Sequence, residues 1–238
     1  MKCLGIDLGW SSNPSGLCCL ELVNGALTLR DLRRESSIDQ IFAWVDEQAP
    51  NAAIVAVDAP MIIPNQTGMR LPDRLAHKHF GRYHAGCYPA NLSLPFADRT
   101  IGVGLSLEER GFEHAPTIKS QHPGRYQIEV FPHPAMIHLF ELNQILKYKK
   151  GTIAQRKPEL EKLRQLILER LPKIEPRLKI ETLPDIPNKG AELKEIEDQL
   201  DSLICAYVAA YWWYWGTEKN LVLGDRASGY IVVPSPLV

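Results

Sequence analysis

The sequence predicts an α/β fold built on a mixed sheet. Three observations lead to this prediction: short apolar runs joined by turns at the N-terminus, a continuously apolar run at 52–57, and several later stretches with helical periodicity. The first is typical of an antiparallel meander, and the second of a parallel strand that is covered on both faces. The third supplies helices to cover the sheet. With 238 residues, we expect a single α/β domain over 1–238 with an insertion.

The composition indicates a folded chain without an overall bias toward nucleic acid. Hydrophobic residues make up 45% and charged residues 23%, both near the average for globular proteins. The net charge of −1 carries no general signal for a polyanionic partner. Locally, residues 147–179 are strongly basic and residues 181–201 strongly acidic. Two readings remain open: two solvated helices of opposite sign, or a basic segment that guides a polyanion toward an acidic metal site.

The location that we expect is the cytoplasm, without a membrane anchor. The N-terminal run has a single Lys and is interrupted by Asp7, which does not fit a signal peptide. The most apolar segment, 204–215, is too short to cross a bilayer. The five cysteines are odd in number and form no CxxC pair, so we expect reduced and buried thiols.

The meander comes first along the chain. An apolar strand ends at Asp7, a second strand is predicted at 17–23, and a third at 26–32. Between the last two lies Asn24-Gly25, the strongest short hairpin signal, because both residues tolerate positive φ. The first three strands are therefore expected to pair in sequence order.

A helix and a buried strand follow. Apolar residues at 38, 41, 42 and 45 predict a helix over 38–48. The apolar run at 52–57 then ends in Asp58, just as the first strand ends in Asp7. A buried carboxylate is costly unless it is hydrogen-bonded or holds a cation. Ligands of open α/β sheets bind at the carboxyl ends of strands, so we expect Asp7 and Asp58 to form a site.

Residues 61–124 show no long periodic element. They hold five of the seven histidines, together with many Pro, Gly and Asn residues, and a helix is indicated only around 70–82. We predict a loop-rich insertion. Long loops within a compact domain are often functional, for example as a lid or a substrate-binding wall.

The C-terminal half continues with strand and helix patterns. A strand at 126–131 carries Glu129, and a late helix places Asp198 and Asp201 three residues apart on one face. The aromatic run 211–215 is expected to pack at the end of this buried helix. The predicted helices are 135–142, 158–171 and 191–215, and short apolar segments at 221–223 and 230–233 are expected as edge strands or covering coil.

Six segments, in their order and spacing, carry a resemblance to a known family. They are 5–10 (Gly-Ile-Asp-Leu-Gly-Trp), 57–60 (Val-Asp-Ala-Pro), 129–134 (Glu-Val-Phe-Pro-His-Pro), 149–151 (Lys-Lys-Gly) with Arg156, 198–210 (Asp-Gln-Leu-Asp-Ser-Leu-Ile-Cys-Ala-Tyr-Val-Ala-Ala) and 229–234 (Gly-Tyr-Ile-Val-Val-Pro). The chain resembles the predicted ribonuclease H-like nucleases of the family called domain of unknown function 429. One departure is Ser202, which stands where the family's late motif usually has Ala.

The resemblance implies a ribonuclease H-like fold: a five-stranded mixed sheet with helices on both faces and an acidic cluster that binds Mg²⁺ or Mn²⁺. It implies that Asp7 bridges the metals, that Asp58 and Asp201 are further metal ligands, and that Asp198 lies one turn before Asp201. It also implies that Glu129 is a metal ligand close by. All five are expected as catalytic residues.

The implied reaction is hydrolysis of a phosphodiester in nucleic acid. Two metal ions about 3.5–4 Å apart activate water and stabilise the leaving oxygen. We expect Lys149, Lys150 and Arg156 to bind the phosphate by charge. The type of nucleic acid stays open, and a homodimer is an open possibility.

Two other functions compete with this one. The segment 5–9 also resembles the phosphate-binding hairpin of actin-like and sugar-kinase phosphotransferases that use ATP. No second Asp-x-Gly-x-Gly turn is found, and the chain is about half the length that two such domains need. The other alternative is a non-catalytic ribonuclease H-like binding module, since a fold alone does not prove activity.

Overall fold

The central sheet has seven strands, and a two-stranded sheet lies beside it. A computed structural model describes residues 1–11 and 14–237. The strands are β1 (Lys2–Asp7), β2 (Ser15–Val23), β3 (Ala26–Glu35), β4 (Ala53–Val57), β5 (Glu113–His114), β6 (Arg125–Glu129), β7 (Leu178–Lys179), β8 (Asn220–Asp225) and β9 (Gly229–Pro234). The helices are α1 (Ile38–Gln48), α2 (Leu71–Phe80), α3 (Ala97–Glu109), α4 (Pro132–Leu139), α5 (Ile153–Arg170) and α6 (Gly190–Trp215).

The strand order of the central sheet is β5-β6-β4-β1-β2-β3-β7. Strands β1, β2 and β3 are antiparallel neighbours, whereas β4 and β6 run parallel to β1. This confirms the predicted α/β class and the ribonuclease H-like layout of a meander joined to parallel strands. The count of seven instead of five arises because two-residue strands, β5 and β7, pair at the two edges.

The predicted hairpin between β2 and β3 is confirmed. Asn24 has φ 51° and Gly25 has φ 78°, the positive values that this tight turn requires. Strand β3 is longer than predicted and extends to Glu35, because its charged second half pairs with the start of β2.

Helices cover both faces of the sheet, as expected. Along β1 the side chains alternate between the faces. Cys3 packs in a core with α4, α5 and α6, whereas Leu4 and Ile6 pack in a second core with α1 and α3. The face on which a residue lies therefore decides which helices it meets.

The region 61–124 contains more regular structure than predicted. Helix α2 lies within the predicted helical stretch, but α3 contradicts the expectation of no long periodic element. Val103 and Leu107 of α3 are buried against the sheet, while Gly102 and Gly104 lower its helix propensity. Tertiary packing therefore stabilises a helix whose own sequence signal is weak.

Helix α5 begins five residues before the predicted start. Thr152 and Gln155 form a capping box, in which each side chain accepts a hydrogen bond from the backbone N–H of the other residue. Pro158 thus lies inside the helix, in its second turn. The predicted amphipathic stripe is confirmed by the burial of Leu160, Leu163 and Ile167.

Helix α6 is the most buried helix, and its aromatic end packs as predicted. Trp212 is fully buried and donates a hydrogen bond from Nε1 to the carbonyl of Ala115 at 2.9 Å. Trp213 does the same to His122 at 2.8 Å. No helix in the described part of the chain combines the length and apolarity needed to cross a membrane. All five cysteine thiols are free, and four of them are buried.

Candidate functional site

Two carboxylates lie side by side at the ends of adjacent parallel strands. Ile6 of β1 is aligned with Val57 of β4, so the next residues on each strand, Asp7 and Asp58, are neighbours. The backbone N–H of Asp58 donates to the carbonyl of Ile6 at 2.9 Å, which extends the alignment to this point. By the alternation of side chains, both carboxylates lie on the face covered by α6.

Glycines bring α6 close to these strand ends. A methyl group on Gly5 would overlap the carbonyl oxygen of Ser202, and one on Gly16 would overlap that of Asp198. The helix backbone therefore rests directly on β1 and β2. Ser202, in place of the family's Ala, is fully buried and donates its hydroxyl to the carbonyl of Gln199 at 2.7 Å, so it packs without an unsatisfied group.

The two carboxylates open into a cavity of about 690 Å³, a volume suited to a small ligand or one unit of a polymer. Its walls come from the strand ends, the region 61–124 and the loop that precedes α5. Besides the two aspartates, prominent lining residues are Trp10, Tyr88, His133, Lys149, Lys150 and Lys194.

Neither Asp7 nor Asp58 has a side-chain partner among the described residues, in either hydrogen bonds or ion pairs. Burial raises the pKa of the Asp58 carboxyl to about 7, Lys149 counteracts this, and Asp201 and Glu129 add to it. Burial likewise raises the pKa of Asp7 well above its usual range; Lys149 lowers it, and the other aspartates raise it. The single positive charge of Lys149 is therefore too little to compensate the two carboxylates, Asp7 and Asp58.

Asp201 lies deeper and is fully enclosed. One carboxylate oxygen accepts a hydrogen bond from the Tyr148 hydroxyl at 2.6 Å. The other lies 2.8 Å from Nζ of Lys149, but not along a hydrogen-bonding direction, so this contact is ionic. Burial pushes the pKa of Lys149 down, but Asp201, Asp7 and Asp58 raise it well above its usual value, so Lys149 stays charged.

Asp198 is neutralised by two cations. Nε of Arg34 lies 2.8 Å from one carboxylate oxygen, and Nζ of Lys194 lies 2.6 Å from the other. Lys194 also contacts Glu197 at 2.7 Å. Asp198 is thus near enough to Asp7 to raise its pKa, but its own charge is already compensated.

Glu129 belongs to a separate network. Both of its oxygens accept hydrogen bonds from Arg70, at 2.6 and 2.9 Å, and Arg70 also binds Asp73 at 2.8 Å. Glu129 is aligned with Val57, and thus lies on the opposite pleat from Asp58. Glu129 therefore has no unpaired carboxylate oxygen, in contrast to Asp7 and Asp58.

The predicted phosphate-binding residues separate into two kinds. Lys150 lies at the cavity rim, where Nζ contacts the hydroxyl of the exposed Tyr88 at 3.0 Å. Arg156 instead donates to the carbonyl of Tyr148 at 2.7 Å and to Glu197 at 2.8 Å. Arg156 thus anchors the loop that carries Lys149 onto α6.

His133, which belongs to the motif 129–134, also lines the cavity. Its ring lies between Phe131 and Tyr148, and its buried Nδ1 has no hydrogen-bond partner among the described residues. Burial and the nearby Lys149 lower the pKa of His133 to about 4, whereas Asp201 raises it. The imidazole is therefore neutral at pH 7.

Sequence reasoning also missed the partners of the acids. Arg34 is aligned with Gly16, which is itself aligned with Asp7, so these residues form one row across three strands. Only the register of the three strands shows that the positive side chain of Arg34 lies in the same row as Asp7. Tyr148, next to Lys149, carried no signal beyond its position. Arg70 lies 59 residues from Glu129, and no local pattern joins them.

The pair Asp7 and Asp58 fits a hard divalent cation. Carboxylate oxygens are the ligands that Mg²⁺ and Mn²⁺ prefer, and Mg²⁺ commonly uses one or two carboxylates with water. No three His, Cys, Asp or Glu side chains in the described ranges converge as ligands of one ion. The oxygens of Asp201 are directed to Tyr148 and Lys149 instead.

Comparison with known proteins gives a family match and a structural alignment. The model of a family described as protein of unknown function (DUF429) matches residues 5–226. No curated protein is similar enough to count as a match. The solved structure of RuvC from Thermus thermophilus aligns at 14% identity with a TM-score of 0.39, covering 88% of this chain and 98% of that chain.

Proposed function

We propose that the chain, which belongs to the DUF429 family, is a metal-dependent hydrolase that cleaves phosphodiester bonds of nucleic acid. The observation that carries the proposal is the pair of partnerless carboxylates, Asp7 and Asp58, at the mouth of a cavity. Half-buried carboxylates that have neither a cation nor a hydrogen-bond donor carry a desolvation cost, which a bound cation would offset.

The proposed metal ligands are Asp7 and Asp58, which would hold Mg²⁺ or Mn²⁺. When bound, the ion supplies an activated water and stabilises the oxygen that leaves phosphorus. The resemblance implies two ions with Asp201 and Glu129 as further ligands. We leave Glu129 out of this set because Arg70 occupies both of its oxygens.

Positive and aromatic groups around the cavity support an anionic substrate that carries a base. Lys149 and Lys150 line the same cavity as the aspartates and are suited to bind phosphate oxygens. Tyr88 is 68% exposed at the same rim, which is unusual for so large a side chain, and offers a face on which a base can stack. His133 is neutral and available to hydrogen-bond the bound substrate.

The test is a cleavage assay with end-labelled single-stranded DNA, single-stranded RNA, duplexes and a branched junction. Each substrate is incubated with Mg²⁺, with Mn²⁺ or with EDTA. We expect cleavage of at least one class that depends on the metal. Asp7→Asn and Asp58→Asn should each lower its rate by more than about 100-fold, because changes to the outer partners of metal ligands alone cost 10–100-fold.

The matched control is Asp185→Asn, which makes the same chemical change at a carboxylate that is fully exposed. This variant should cleave like the wild type. Stabilisation by ATP with Mg²⁺, together with no cleavage of any nucleic acid, would instead favour a phosphotransferase. Metal binding without turnover on any of these substrates would favour a binding module.

A further inference from the structure

We infer that the site takes one divalent ion, because the ammonium of Lys149 holds the place and the charge of a second. This inference rests on the proposed function, in which Asp7 and Asp58 bind metal. It changes the two-ion site implied by the resemblance into a site of one ion and one fixed ammonium.

The ammonium of Lys149 lies beside Asp201. Nζ of Lys149 lies 2.8 Å from Asp201, the carboxylate that would be a ligand of a second ion. The Tyr148 hydroxyl binds the other oxygen of Asp201 at 2.6 Å. Two consecutive residues of one loop therefore occupy both oxygens of this carboxylate.

The second step is the charge of the site. Asp198 is compensated by Arg34 and Lys194, and Glu129 is compensated by Arg70. This leaves three carboxylates that face one lysine. They are Asp7, Asp58 and Asp201, with Lys149 as the cation. With all three carboxyls ionised, as ligands of a cation are, the remaining charge of about −2 matches one divalent ion, whereas two such ions would leave a net positive site.

The third step is the fixed placement of Lys149. Arg156 holds the carbonyl of Tyr148 at 2.7 Å and links it to Glu197 of α6. One residue earlier, the backbone N–H of Lys147 donates to Glu159 of α5 at 3.0 Å. The lysine thus extends from a backbone that is anchored through the two residues before it, which distinguishes it from a freely moving surface lysine.

The test is the number of Mn²⁺ ions bound per chain, measured by isothermal titration calorimetry and by native mass spectrometry without nucleic acid. The wild type should bind one ion. Lys149→Met frees Asp201 and raises the negative charge of the site, so it should bind two. Lys149→Arg keeps the charge and should bind one. The control Lys162→Met, at an exposed position of α5, should also bind one.

The possible outcomes separate this inference from the proposed function. Two ions on the wild type would overturn the inference and leave the metal site standing. No ion on the wild type would overturn both. One ion on a Lys149→Met variant whose circular dichroism matches the wild type would overturn the inference as well. If that variant does not fold, the wild-type count decides alone.

Discussion

At the scale of single residues, the partner of each acid decides what the acid can do. Asp198 and Glu129 are ion-paired, and Asp201 is held by Tyr148 and Lys149. Asp7 and Asp58 have no such partner among the described residues, and they are only partly buried, whereas the paired acids are buried. These two carboxylates are therefore the ones that remain available to a cation.

The raised pKa of Asp58 predicts how stability changes with pH. Its pKa is raised from 3.8 to about 7, so between these values the folded chain binds the proton more tightly than the unfolded chain. In metal-free buffer this group makes the free energy of unfolding fall as pH rises from about 4 to 7. Asp58→Asn removes the effect, and should be more stable than the wild type by up to about 4 kcal/mol above pH 7.

Urea denaturation at pH 5, 6, 7 and 8 in EDTA measures this difference. The gap between Asp58→Asn and the wild type should widen up to pH 7 and then stay constant. Asp185→Asn should show no such trend. A difference in the free energy of unfolding that is the same at all four pH values would contradict the raised pKa of Asp58.

Arg70 provides a second prediction at this scale. Arg70→Met leaves the carboxylates of Glu129 and Asp73 buried without a cation, so it should lower the free energy of unfolding by about 3–5 kcal/mol. Adding Glu129→Gln to Arg70→Met should recover part of the loss. The control Arg74→Met changes an exposed arginine of α2, the helix that Arg70 precedes, and should stay within about 0.5 kcal/mol. Equal losses in Arg70→Met and Arg74→Met, measured by urea denaturation, would contradict this role.

At the scale of elements, the contact between α6 and the meander builds the site. The sequence was enough to predict β1, the hairpin, α1, β4 and α6, because each has a strong period or turn signal. It was not enough for α3, whose glycines weaken the helical pattern, or for β5 and β7, which are too short to have a pattern. The close approach of α6 depends on two glycines whose importance appears only when the helix is in place.

Gly5→Ala tests this contact. The added methyl group meets the backbone of Ser202 and Ala206, which cannot yield without moving α6. We expect a loss of about 1–3 kcal/mol in the free energy of unfolding and weaker Mn²⁺ binding. The matched control is Gly102→Ala in α3, where a methyl group meets nothing within 4 Å and should stabilise the helix by about 0.5–1 kcal/mol. A Gly5→Ala variant as stable as the wild type would contradict the tight contact.

At the scale of the whole molecule, one cavity is enclosed by the carboxyl ends of the central strands, the region 61–124 and the loop before α5. The sequence placed Asp7 and Asp58 at corresponding strand ends, and the register of β1 and β4 confirms that they are neighbours. The sequence could not separate paired acids from free ones, because Arg34, Arg70 and Lys149 come from distant parts of the chain. Ion pairing between distant segments is a property of the folded molecule.

Metal binding by Asp7 and Asp58 is tested most directly by anomalous diffraction from crystals of the wild-type chain soaked in Mn²⁺. We predict one anomalous peak, in contact with carboxylate oxygens of both Asp7 and Asp58, with Lys149 still beside Asp201. A peak that touches neither Asp7 nor Asp58, or the absence of any peak in the cavity at saturating Mn²⁺, would contradict it.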